Sequence, residues 1–398
     1  MNLSERANNI SVSPTMKISG MAKKMKSEGK NVINLSVGEP DFNTPQNIKN
    51  AAVKAINENK TRYTINAGIP ELRKAISSKL KTDNDVEFKI DEIIVSSGAK
   101  QSLYNALQVI ANPNDEVLIP IPYWVSYPQM VKLAGAKPVF LSTDESTGFK
   151  ITVEQLNDVI NENTKAIILC NPSNPTGAAY SKTELLKIAE FLFDKNIYVI
   201  SDEIYEKLTY GGYQFNSFVS LIPEMRDKII TINGVSKAYA MTGWRIGFAA
   251  AQKGIVQAMN KIQSHSTSNA NSVAQYAALE AFSGNQDSVN SMKIEFEKRR
   301  NYLISELESI EGISCYKPQG AFYLFPNISV LLRNIDEDKG IKNSYDFAMD
   351  LLENAEVATV PGSSFGAEGY LRLSYATSME NLKEAIIRIR NYIDTLKK

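Results

Sequence analysis

The chain has 398 residues, 44 Lys and Arg against 44 Asp and Glu, and 43% hydrophobic residues. Balanced charge argues against the basic footprint of a nucleic-acid binder, the hydrophobic share is ample for a globular core, and the length predicts two domains. One histidine and two cysteines argue against a Ser-His-Asp triad, a His-rich metal site and a disulfide framework, so no metal is expected and lysine becomes the obvious general base.

The first residues, Met1 to Arg6, carry no apolar signal-peptide core, and no apolar run is long enough to span a bilayer. Together with Cys170, which closes an apolar run and reads as a small buried hydrophobe, and Cys315, this fits a reducing, cytoplasmic setting. A polar arm leads into a helix over 16–26, ended by Gly29. Residues 32–37 read as a short strand running into Gly38-Glu39-Pro40-Asp41-Phe42, where Gly38 leaves the backbone bare for a ligand or simply makes a turn. Helical periodicity over 45–59 is followed by an irregular aromatic stretch containing Tyr63. An amphipathic helix over 71–80 then opens on Pro70.

Residues 93–103 read as a strand, a glycine turn and a helix start. That arrangement points free N–H groups and the positive helix end at an anion, so a phosphate would sit at Gly98, Ala99 and Lys100. A strand over 116–120 leads to Trp124, which either stacks on a flat ring or fills the core. A strand over 137–141 and a helix over 153–161 precede the continuous apolar run 166–170, as expected of a central parallel strand. This run ends in Asn171-Pro172-Ser173-Asn174-Pro175-Thr176-Gly177, a rigid turn able to hold a carboxamide toward a site. A helix over 182–195 and a strand over 197–201 follow, the strand ending in Asp202-Glu203-Ile204-Tyr205.

The β-branched strand over 228–233 delivers the segment from Gly234 to Gly247, with Ser236 and Lys237 just past the strand and Arg245 eight positions later. A lysine partly desolvated or near another cation has a lowered pKa and forms Schiff bases with carbonyls. A permanent guanidinium suits a phosphate. An amine for an aldehyde and a guanidinium for a phosphate together fit pyridoxal 5′-phosphate (PLP); the alternative is an ordinary loop with a surface lysine. A strand remnant and a helix to about 261 follow, then the polar stretch 263–271, whose lone His265 reads as a structural hydrogen-bonder. Helices over 273–282 and 289–308 carry the chain into a second domain. There, short strands are predicted at 313–316, 321–325, 357–360 and 370–375, with helices over 344–354 and 379–396. Arg372 interrupts an apolar strand and needs an anionic partner, a ligand or an internal Asp or Glu. Strands alternating with helices imply an α/β fold: a mostly parallel sheet with helices on both faces, plus a smaller α+β domain. In such sheets the ligand lies at the carboxyl ends of the strands, where Gly98, Trp124, Asn174, Asp202, Tyr205 and Lys237 all fall.

At this point the chain resembles the fold type I PLP enzymes, specifically the class I aminotransferases of the bacterial aspartate and prephenate branch. The resemblance runs from Ser36-Val37-Gly38-Glu39-Pro40-Asp41-Phe42 through the Asn171–Gly177, Ser201–Tyr205 and Gly234–Lys237 motifs to Arg372-Leu373-Ser374-Tyr375-Ala376. It implies that Lys237 holds PLP as an imine and then moves the proton between substrate and cofactor. It implies that Asp202 pairs with the ring nitrogen, that Tyr205 and Asn174 reach the ring oxygen, and that Trp124 stacks on the ring. Gly98, Ala99, Lys100, Ser236 and Arg245 would line the phosphate region. Tyr63 would reach the phosphate of a neighbouring subunit, making the active unit a homodimer with shared sites. Arg372 would clamp the substrate α-carboxylate, with Gly38, Trp124 and Asn174 nearby, and Lys100 would meet a second carboxylate.

The implied reaction moves an amino group between aspartate, or another dicarboxylic amino acid, and 2-oxoglutarate by a ping-pong mechanism. Prephenate, aromatic or other amino acids, or a β-lyase reaction on the same scaffold, are the alternatives. One departure is visible: where some members carry a phosphate-binding serine three residues before the lysine, this chain has Gly234. The expected domains are an N-terminal arm with part of the small domain (1–45), a large PLP-binding domain (46–285) and a small C-terminal domain (286–398).

Overall fold

The structure is a computed structural model and describes residues 3–12 and 14–396. Of the polar arm expected at the N-terminus, Met1, Asn2 and Ser13 lie outside the described residues.

The first strand is short: β1, Ile33–Asn34. Seven longer strands follow, β2 (Ile93–Ser96), β3 (Glu116–Ile121), β4 (Lys137–Ser142), β5 (Thr164–Cys170), β6 (Tyr198–Asp202), β7 (Ile229–Gly234) and β8 (Gly247–Ala250). They form one sheet in the order β2-β8-β7-β6-β5-β3-β4. Only β8 runs against the rest; it is antiparallel to both β2 and β7. Successive residues of β5 face opposite cores: Ile167 and Leu169 join one buried cluster, Ala166 and Ile168 the other. This alternation with apolar side chains on both faces is why the strand reads as an unbroken apolar run. Helices cover both faces, and several begin with side-chain caps, as where Ser181 and Glu184 form a capping box at Lys182–Phe193.

A second body of packing carries four further short strands, β9 (Tyr323–Leu324), β10 (Val357–Ala358), β11 (Val360–Pro361) and β12 (Leu371–Ser374). β11, β12 and β9 make an antiparallel sheet, while β10 pairs in parallel with β1. The core here gathers Ile33 and Leu35 with Phe296, Phe322, Leu351 and Ile389. The long helix Asp287–Glu308 and the helices Ser344–Ala355 and Met379–Leu396 enclose it.

Two strand expectations fail. Residues 313–316 form no strand; Ser314 makes only an isolated bridge to Asn327. The run 357–360 splits between two different sheets, β10 and β11. Both segments lie in the small body, where strands are too short for a two-residue period to set their extent. Among the described residues no helix is long and apolar enough to cross a membrane.

Candidate active site

β2, β3, β5, β6 and β7 point the same way, so their carboxyl ends lie on one edge of the sheet. A cavity of about 600 Å³ opens there, bounded on its far side by Arg372 of β12, Tyr323 of β9 and the loop 36–39. Of the residues singled out in the sequence, it is lined by Gly38, Ala99, Lys100, Trp124, Asn174, Asp202, Tyr205, Ser236, Lys237, Arg245 and Arg372.

Lys237 follows the end of β7, and its ammonium donates to the Gly38 carbonyl at 2.5 Å. Its Nζ lies 5.9 Å from the Tyr205 ring centre and 5.8 Å from that of Phe322. Burial pulls its pKa down to about 8; Arg372 and Arg245 act in the same direction, and Glu39 and Asp202 oppose it. Asp202 ends β6 and is 4% exposed. Burial pushes its pKa up to about 6, restrained by the Tyr127 hydroxyl, the Ile204 N–H and Lys237. Tyr127 donates to Asp202 Oδ2 at 2.7 Å, and its ring meets Trp124 edge-on at 5.3 Å.

One side of the cavity is formed by the start of the helix Ala99–Ile110 and by Arg245. Gly98 precedes that helix with φ of +84°, and a Cβ there would collide with the Arg245 guanidinium. Gly98 therefore backs Arg245 without itself lining the cavity. Arg245 is held by the Thr242 carbonyl at 3.0 Å and the Ser97 carbonyl at 3.4 Å. Its own φ is +56°, a left-handed conformation uncommon for a side chain of this size. The Lys100 ammonium lies 4.7 Å from the Trp124 ring centre, and partial burial, reinforced by the Arg245 charge, lowers its pKa. Gly234 pairs with Gly247 across β7 and β8, and a Cβ on it would lie 2.8 Å from the Gly247 Cα and the Ile246 oxygen. A serine in that place would strike the neighbouring strand, which accounts for the departure noted in the sequence.

Arg372 is 3% exposed. Its Nη1 donates to Asn174 Oδ1 at 3.1 Å and its Nη2 to the Ser36 carbonyl at 2.8 Å; its Nε has no partner. No Asp or Glu forms an ion pair with it among the described residues, so the internal-pair alternative fails. Five cationic side chains line the cavity, Lys23, Lys100, Lys237, Arg245 and Arg372, against the carboxylates of Glu39 and Asp202. A surplus of cations beside a buried guanidinium that lacks an anionic partner among the described residues is a site built for anions.

The sequence profile of the family "Aminotransferase class I and II" matches residues 30–389. A Bacillus subtilis protein named aspartate aminotransferase is 48% identical over 394 residues, 99% of each chain. The chain belongs to the class I and II aminotransferases. A Rickettsia typhi protein named "Probable aspartate/prephenate aminotransferase" is 46% identical over 396 residues, again 99% of each chain. The crystal structure of the Rhizobium meliloti aspartate aminotransferase superposes with a TM-score of 0.96 at 42% identity, covering 100% of both chains.

Three parts of this aminotransferase's cavity escaped the sequence reading. Tyr127 stands three residues after Trp124, across the first turn of the helix Ser126–Leu133, and only the register of β6 brings Asp202 to it. Tyr323 belongs to a two-residue strand. The helix Pro14–Ser27 lends Met16, Ser19, Gly20 and Lys23 to the mouth of the cavity while burying Ile18, Ala22 and Met25 against the protein. Its apolar spacing was legible; its docking place was not. Of the predicted residues, Tyr63 does not line this cavity and is 92% exposed. His265 caps the C-terminal end of the helix Lys253–Ser264, on the surface. Cys170, expected as a buried small hydrophobe, is part-buried and lines the cavity.

Proposed function

We propose that this aminotransferase uses PLP to transfer the amino group of aspartate, or of another dicarboxylic amino acid, to 2-oxoglutarate. The observation that carries the substrate class is the pair of cations Arg372 and Lys100 lining one cavity, one for each carboxylate. The names of the Bacillus subtilis and Rhizobium meliloti relatives agree with it.

PLP fits the residues present. A phosphate matches the helix start at Ala99 together with Arg245, an aldehyde matches the amine of Lys237, and a ring nitrogen matches the carboxylate of Asp202. When bound, the cofactor supplies an electron sink for the charge left as the substrate Cα–H bond breaks. The protein does the rest. With a pKa of about 8, roughly a tenth of the Lys237 amine is unprotonated at pH 7, enough for a nucleophile and proton carrier. Asp202 supplies the negative charge that keeps a ring nitrogen protonated, and Tyr127 holds that carboxylate in place. Arg372 and Asn174 fix the α-carboxylate, and with it the direction of the Cα–H bond. Trp124 would cover one face of the ring, and Tyr205 would donate to its oxygen.

The active unit in this reading is a homodimer in which the exposed Tyr63 reaches the partner's phosphate. The chain divides into a cofactor domain over 46–285 and a smaller domain over 286–398 that shares segment 1–45. Prephenate, which also has two carboxylates, is a second candidate substrate favoured by the name of the Rickettsia typhi relative. A half-reaction screen tests the reading: the holoenzyme is mixed with each amino acid and loss of the cofactor's visible band is followed. Fast bleaching by aspartate and glutamate and slow bleaching by alanine is expected. Equal rates for all three would overturn the dicarboxylate assignment.

A further inference from the structure

Arg372 presents an unusual balance. It is buried and charged, yet it forms no ion pair with any described residue. Two aromatic faces take the place of a carboxylate: Tyr323 at 4.5 Å and Phe365 at 5.0 Å from the guanidinium carbon. An aromatic face stabilises a desolvated cation through its quadrupole, without cancelling the charge. An Asp or Glu in the same position would neutralise the guanidinium and compete with an incoming carboxylate. The rings hold Arg372 still and leave its full charge for the ligand.

Tyr323 does a second thing. Its hydroxyl lies 3.0 Å from that of Tyr205, and the two rings meet edge-on at 5.9 Å. Burial raises both phenol pKa values, so both hydroxyls stay protonated at working pH. Two neutral phenols in contact have one donor and one acceptor between them. If Tyr205 is to donate to a cofactor oxygen, its proton must be free, so Tyr323 must be the donor. A phenol that accepts one hydrogen bond becomes a better donor in the next. The backbone makes room for this contact: a Cβ at Gly38 would lie 2.9 Å from the Tyr323 hydroxyl, and the Gly38 carbonyl is the acceptor of Lys237.

We propose that Tyr323 is a positioning residue with two separable duties, its ring seating Arg372 for the α-carboxylate and its hydroxyl directing the Tyr205 proton to the cofactor. The proposal rests on the roles given above to Arg372 and Tyr205. It places one side chain of the small sheet in contact with both the carboxylate clamp and the ring-oxygen donor on the large sheet's edge.

Two variants of the holoenzyme separate the duties. Tyr323→Phe keeps the ring and loses the hydroxyl. The pKa read from the cofactor's visible band should then rise, because a weaker Tyr205 donor leaves the ring oxygen richer in electrons, and kcat should fall about tenfold with KM nearly constant. Tyr323→Leu removes the face. The dissociation constant of succinate, a dicarboxylate that carries no amino group to transfer, should rise about tenfold, with KM for the amino acid rising in parallel. If Tyr323→Leu does not fold, Phe365→Leu removes the other ring and should weaken succinate binding in the same sense. A band pKa and kcat unmoved in Tyr323→Phe, or succinate affinity unmoved on loss of a face, would overturn the proposal. Tyr205→Phe and Arg372→Leu serve as benchmarks. If Tyr205→Phe leaves the band unmoved and Arg372→Leu leaves succinate binding unmoved, the underlying site reading has failed. If the benchmarks respond and the Tyr323 variants do not, only the present inference has failed.

Discussion

The cavity has two walls of different construction, one proposed above to meet the cofactor and the other to meet the substrate. The cofactor wall comes from the ends of five parallel strands that are four to seven residues long and buried on both faces. The substrate wall comes from β9 and β12, of two and four residues, together with the loop after β1. On the first wall, Asp202 ends its strand, Asn174 and Lys237 follow theirs within a few residues, and sheet register brings them together. On the second, Arg372 hydrogen-bonds partners 198 and 336 residues away in sequence. A rigid sheet edge suits groups that must meet one cofactor in one geometry. A wall assembled from distant segments suits a ligand that enters, is held by its charges and leaves.

The comparison predicts that damage to the cofactor wall removes chemistry, whereas damage to the substrate wall removes affinity. Lys237→Ala should have the largest effect: turnover falls by about 10⁴-fold or more, and PLP stays only non-covalently bound. Retained turnover would break the comparison at its root. Arg372→Leu should reduce kcat/KM by about 10³-fold, mostly through KM, since a buried bidentate contact is lost. Arg372→Lys should recover little, because an ammonium cannot make the paired contact. A loss confined to kcat would show that the clamp acts only as the reaction proceeds. Lys100→Ala sharpens the picture further: kcat/KM for aspartate should fall about ten- to a hundredfold while that for alanine changes within a factor of two. Equal losses would show that Lys100 only balances the cofactor phosphate.

The same difference explains what could be read from sequence. The long strands declared themselves, because a strand buried on both faces is an unbroken apolar run, and β2, β3, β4 and β5 are each followed by a helix with its own period. Asn174, Asp202 and Lys237 were legible because a polar residue at or just past the end of such a run has few other reasons to be there, and Gly98 because a glycine between a strand and a helix start exposes the backbone. The substrate wall was legible only at Arg372, a charge inside an apolar strand, and at Gly38, a bare backbone position just past a short strand. Tyr323 looked like one more aromatic in Ala321-Phe322-Tyr323-Leu324-Phe325, since nothing local says that Tyr205 and Arg372 are its neighbours. The helix Pro14–Ser27 showed its apolar face but not the cavity mouth it borders, and the strand expected at 313–316 proved too weak a pattern to order a ladder. Tyr63 is the remaining case: within one chain it does not line the cavity, so the phosphate contact proposed for it requires a second copy. PLP affinity should then weaken on dilution below the dimer dissociation constant, and Tyr63→Phe should weaken it at every concentration.

The smallest effect expected is on folding, and it isolates the cofactor wall from its ligand. Asp202 has its pKa raised to about 6 in the folded protein, above the ordinary unfolded value of about 3.9. The folded state therefore binds the proton more tightly. The stabilisation this gives is fully present below about pH 4 and is lost as pH rises through about 6, on the order of 3 kcal/mol across that window. Asp202→Asn should remove this pH dependence from the apoprotein's urea midpoint, leaving the contribution of the remaining carboxylates. Tyr127→Phe should do the opposite. It deletes a hydrogen bond that favours the ionised carboxylate, so the loss of stability with rising pH should end at a higher pH than in the parent. If the Tyr127→Phe curve overlays the parent's, the tyrosine does not hold the carboxylate in the empty cavity, and the cofactor wall would owe its geometry to the bound ring rather than to the sheet.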